Sequence, residues 1–106
     1  MIRIEIFRQQ DGKVSGFSVS GHSGTAEYGK DIICAAVSAL AQTALLGLGK
    51  HLHRRLDYKV ASGDLYMHLE EAADDLTEAI LETMILGLIE IENINPKSVR
   101  VSEHRR

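Results

Sequence analysis

At 106 residues the chain is sized for one domain with a real core, and 44% hydrophobic against 25% charged residues is the balance of an ordinary globular protein. A formal net charge of -3 argues against a general nucleic-acid binder, which needs a basic surface, so no direct nucleic-acid binding is expected. One cysteine excludes an internal disulfide, the first residues lack a signal-peptide layout, and no uninterrupted apolar run reaches membrane-spanning length. The expectation is a reduced, cytoplasmic protein with no membrane partner.

Ile2, Ile4 and Ile6 alternate with Arg3 and Glu5, the period of a half-buried strand. Gln10-Asp11-Gly12 is a hairpin signal, because Asp-Gly supplies the positive φ of a tight turn. Val14 to Ser20 returns as a second strand with Phe17 and Val19 on one face, and Gly16 marks a bulge or close approach. Residues 23–30 read as a mobile, glycine-containing loop. Asp31 is a good N-cap for a helix from about Ile32 to Leu48, on which Ile33, Val37, Leu40, Ala41, Ala44 and Leu48 recur at helical spacing. Lys50 to Arg55 form a basic exit.

Asp57 to Ala61 and Leu65 to Leu69 read as two strands joined through Ser62-Gly63-Asp64. A second helix is expected from about Glu70–Asp75 to Asn95-Pro96, where proline ends it. Its apolar residues cover more than half its circumference, so it is either deeply buried or shared with a partner. Val99 and Val101 mark a last short strand, and Glu103 to Arg106 a frayed tail. The fold class is α+β: a ββαββαβ order, with a mixed sheet covered by two helices, in a single domain spanning 1–106.

The chemistry concentrates at His22 and Cys34. A cysteine in the first turn of a helix meets free N–H groups and the positive end of the dipole, which favour thiolate. A nearby histidine can take the thiol proton and later protonate a leaving amine. The intervening loop reaches about 26 Å when extended, so the pair can meet but is not forced to. Each residue also has a plainer role. A lone cysteine is most often a small buried hydrophobe. Asp31 is a simple cap or an orienter of His22. Ser38, one turn after Cys34, bonds its own helix or points at Cys34, His22 or substrate. Cys34, His22, His51 and His53 lack paired ligand spacing, so neither a metal nor another cofactor is expected. Gly29-Lys30-Asp31 is not a phosphate loop, because Ser or Thr does not follow the lysine. Phe17 and Tyr28 read as packing residues.

Gly21-His22, followed by Tyr28-Gly29-Lys30-Asp31-Ile32-Ile33-Cys34-Ala35-Ala36-Val37-Ser38-Ala39-Leu40, resembles the signature of the ribosomal-processing cysteine protease family, the Prp or YsxB-like proteins. The resemblance implies small homodimeric enzymes that remove an N-terminal extension from a bacterial large-subunit ribosomal protein. It implies Cys34 as nucleophile and His22 as general base and acid. Asp31, Ser38, Gly21, Ser23 and Gly24 fall at supporting positions, and Tyr28 and Gly29 lie in a loop that closes over the peptide. An apolar pocket near Cys34 is also implied. The competing reading is a non-catalytic, ribosome-associated binding module with a structural Cys34 and the apolar face of the second helix as its partner surface.

Overall fold

The computed structural model describes residues 1–22 and 31–105, with only the backbone of Asp31. Strands β1 (Ile2–Arg8) and β2 (Val14–Ser20) form the first hairpin, followed by helix α1 (Asp31–Leu46) and a π-helical turn (Gly47–His51). Strands β3 (Leu56–Ala61) and β4 (Asp64–Leu69), helix α2 (Asp75–Ile94) and strand β5 (Val99–Arg105) complete the predicted order. The sheet order is β3-β4-β2-β1-β5; β5 runs parallel to β1 and every other pairing is antiparallel.

The alternation in β1 works as the period predicts. Ile2, Ile4 and Ile6 are fully buried, while Arg3 on the other face is exposed. They join Phe17 and Met67 from the sheet, Val37, Ala41 and Leu48 from α1 and its exit turn, and Leu81, Met84, Ile85 and Leu88 from α2 in one core. Gly16 is a close approach: a Cβ there would lie 2.5 Å from both the Met67 carbonyl oxygen and the His68 ring. Gly12 takes the positive φ (91°) that the Asp-Gly turn requires.

The structure sharpens the start of α2 and departs from the sequence reading at the C-terminal tail. α2 begins at Asp75, the last position of the predicted 70–75 start, because the Asp74 carboxylate accepts from the Leu76 and Thr77 amides while the Thr77 hydroxyl accepts from the Asp74 amide. Glu71, left outside the helix, accepts instead from the Arg55 amide. Glu103 to Arg105 are not frayed: β5 pairs with β1 as far as Arg105, and Glu103 binds Arg8. Finally, Ile32–His51 is by length and composition apolar enough to cross a bilayer, despite its lack of one long apolar run. Here its Val37, Ala41, Ala44, Leu45 and Leu48 enter the core instead.

α2 is less buried than its apolar circumference suggests. Leu81, Met84, Ile85 and Leu88 are in the core, but Leu76, Leu86 and Ile94 are 58%, 65% and 75% exposed.

Candidate active site

The register of β2 on β4 builds one wall of the site. Val19 pairs with Leu65 and Ser20 with Asp64, so the next step up β2 brings Gly21 beside the β3–β4 turn at Ser62-Gly63. The Gly21 amide donates to the Gly63 carbonyl at 3.0 Å. Gly21 has φ 87°, and a Cβ there would run into the Met1 carbonyl. Both facts require glycine. His22 leaves this anchored position exposed, with its ring against Gly63.

α1 builds the facing wall. It opens at Asp31 itself, one residue earlier than predicted, because the backbone is already helical there. Cys34 is therefore the fourth residue of the helix rather than the third. It is half-buried and free. Cys34, Ser38 and Gln42 follow one another at one-turn intervals along the helix face that lines a cleft of about 440 Å³. His22 and Gly63 line the same cleft from the sheet side, over an apolar floor that includes Ile2, Val19 and Leu65. The cleft thus brings together Gly21, His22, Cys34 and Ser38.

The Gln42 side-chain amide donates to Ser38 Oγ at 2.7 Å. The Ser38 hydroxyl hydrogen is therefore left to seek another acceptor. Asp64 also lines the cleft, but its carboxylate accepts from Lys59 Nζ at 2.8 Å across the hairpin. That bond holds the Lys59 ammonium above its ordinary range. Among the described residues no three of His, Cys, Asp or Glu gather as metal ligands. His51 and His53 lie on the exit from α1, exposed and away from the cleft lining.

Ser23, Gly24, Tyr28 and Gly29 lie outside the described residues, as do the predicted loop and the Asp31 side chain. Sequence reasoning missed Gly63, Asp64 and Gln42. Gly63 was read only as a turn residue; its place beside His22 follows from the β2–β4 register, which no local pattern reveals. A second groove of about 380 Å³ adjoins the cleft and shares Gln42 and Val60 with it. Its lining is mainly apolar, with Leu45, Leu46, Leu56 and Tyr58, and Lys50 is at hand.

This geometry meets a clear relationship in sequence. The profile of the family described as Cysteine protease Prp matches residues 1–100. The chain belongs to the Prp family of cysteine proteases. The ribosomal processing cysteine protease Prp of Staphylococcus aureus is 30% identical over 105 residues, covering 96% of this chain and 98% of that one. The protein of the same name from Bacillus subtilis is 30% identical over 109 residues, covering 96% of each. The crystal structure of the S. aureus enzyme with a covalently linked product peptide superposes with a TM-score of 0.88 at 27% identity, covering 98% of this chain and all of that one. The α+β fold is therefore that of the Prp enzymes. The binding-module reading required a buried, structural Cys34; the residue is instead half-buried and lines the cleft.

Proposed function

We propose that this Prp-family enzyme is an endopeptidase that removes the N-terminal extension of a bacterial large-subunit ribosomal protein in the cytoplasm. Cys34 and His22 carry the reaction. The observation that supports it best is the shared cleft, with the only thiol of the chain on the helix wall and His22 on the sheet wall.

In this reading His22 takes the Cys34 proton, and the thiolate attacks the scissile carbonyl. First-turn amides of α1 stabilise the oxyanion. The C–N bond breaks as His22 returns the proton to the leaving amine, leaving a thioester on Cys34. Water, deprotonated by His22, then attacks the thioester, and the acid product leaves as the thiol is restored. In the same reading Ser38 donates its remaining hydrogen into the cleft. Asp31 opens the helix rather than capping it, and in this reading its carboxylate orients His22. The adjoining apolar groove suits hydrophobic side chains flanking the cut. The homodimer belongs to the same proposal, supported by the exposed Leu76, Leu86 and Ile94 on α2. A monomeric mass at micromolar concentration would remove that part.

The test is incubation with the N-terminally extended ribosomal protein of the same organism and mass spectrometry of the products. The unaltered enzyme is expected to release a single extension peptide, and Cys34→Ala to release none while retaining its fold. Full cleavage by Cys34→Ala would sink the proposal.

A further inference from the structure

We propose that Gly63 is a positioning residue for His22: its missing side chain is the space in which the imidazole sits. This rests on the reading of His22 as the base for Cys34.

A Cβ added at Gly63 would lie 2.6 Å from His22 Nε2, 2.8 Å from Cε1 and 3.4 Å from Cδ2. Uncharged non-bonded atoms settle at about 3.5–4 Å, so the ring and a Cβ exclude one another. All three atoms belong to one exposed side chain, so the imidazole moves and the backbone stays. The Gly63 carbonyl also accepts the Gly21 amide at 3.0 Å, which ties the turn to the residue before His22. Gly63 has φ 72°, a conformation that side-chain-bearing residues other than Asn and Asp rarely adopt. One glycine thus fixes the backbone from which His22 departs and clears the volume its ring occupies. The β3–β4 turn becomes part of the machinery through the position it gives His22.

Gly12 supplies a matched comparison. It too sits in a hairpin turn at positive φ (91°), but a Cβ there meets nothing nearer than an Arg105 guanidinium nitrogen at 3.8 Å. Asn tolerates both backbones. Gly63→Asn therefore displaces the ring with little backbone strain, and Gly12→Asn imposes the same backbone change away from the cleft.

The experiment measures kcat and KM on the extended ribosomal protein for Gly63→Asn, Gly12→Asn, His22→Ala and the Gly63→Asn/His22→Ala double variant. Gly63→Asn is expected to lower kcat about a hundredfold, in the range of a displaced general base, with KM within about twofold. Gly12→Asn should keep the parent kcat. The double variant should be no slower than His22→Ala, because a residue acting only through His22 adds nothing once the imidazole is gone. Parent-like kcat in Gly63→Asn, an equal loss in Gly12→Asn, or additive losses in the double variant overturns the proposal. If His22→Ala cleaves at the parent rate, the role of His22 itself falls, and Gly63 with it. A measurement on the unaltered protein is independent of how any variant folds. A nuclear Overhauser contact between the Gly63 α-protons and the His22 ring Hε1 is expected, and its absence overturns the proposal.

Discussion

Arg8 of β1 binds Glu103 of β5 at 2.8 Å. The same guanidinium binds Glu82 of α2 at 2.7 Å and donates to the Gly12 carbonyl at 2.9 Å. It is nearly buried, and the Glu103 hydrogen bond, with Glu82, raises its already high proton affinity. One side chain therefore fastens the last strand, the second helix and the first hairpin together. Arg8→Ala leaves two carboxylates and a carbonyl without this donor. Both carboxylates are half-exposed, so the expected cost is about 1–3 kcal/mol in urea unfolding. Arg8→Lys should recover only part of it, since an ammonium lacks the planar fork that reaches all three acceptors.

The C-terminal strand carries more than its composition suggests. Glu103, His104 and Arg105 pair with Ile6, Phe7 and Arg8. The His104 ring stacks on Phe7 with centroids 5.5 Å apart, and its Nε2 lies 3.1 Å from a Glu5 carboxylate oxygen. Truncation before Glu103 is expected to lower the melting temperature by about 4–8 °C for each kcal/mol lost. An unchanged melting temperature would mean that this segment contributes nothing to the fold.

Acid should loosen the start of α2. The Asp74 carboxylate is held below its ordinary value of 3.8, first by the Arg54 hydrogen bond at 2.7 Å and then by the Thr77 amide. A carboxyl whose folded pKa is depressed contributes stability that is present above its unfolded pKa. That contribution is lost as pH falls through the folded value. Between about pH 5 and pH 2 the parent should therefore lose more unfolding free energy than Arg54→Ala does. Parallel pH profiles for the two proteins would refute this.

The elements were legible because their periods are strong. Ile2, Ile4 and Ile6 announce a strand, Asp11-Gly12 a turn, and the spacing of Val37, Ala41, Ala44 and Leu48 a helix face. The start of α2 is legible only as a window, because Glu70 and Glu71 resemble a first helical turn, whereas Asp74 and Thr77 form the reciprocal cap that sets it at Asp75. β5 was cut short because its last residues are charged and exposed, and backbone pairing with a distant strand leaves no periodic mark. At the site, Cys34, His22 and Ser38 were visible in a contiguous motif. Gly63 and Asp64 were not, because they arrive through strand register some 40 residues downstream of His22.

Cys34 rides on the helix layer and His22 lies two residues past the end of β2, so their separation is set by the distance between the layers. Val37 and Ala41 of α1 share the cleft lining with Ile2, Val19 and Leu65 of the sheet. These side chains act as spacers between Cys34 and His22, the proposed nucleophile and base. Ala41 is fully buried, so Ala41→Val must lift or tilt the helix. A misplacement of about 1 Å is enough to cost about a hundredfold in rate. Turnover should therefore fall further than the melting temperature would suggest, although neither Cys34 nor His22 is altered. The interior of the domain works as a gauge block, and activity becomes a sensitive readout of its thickness.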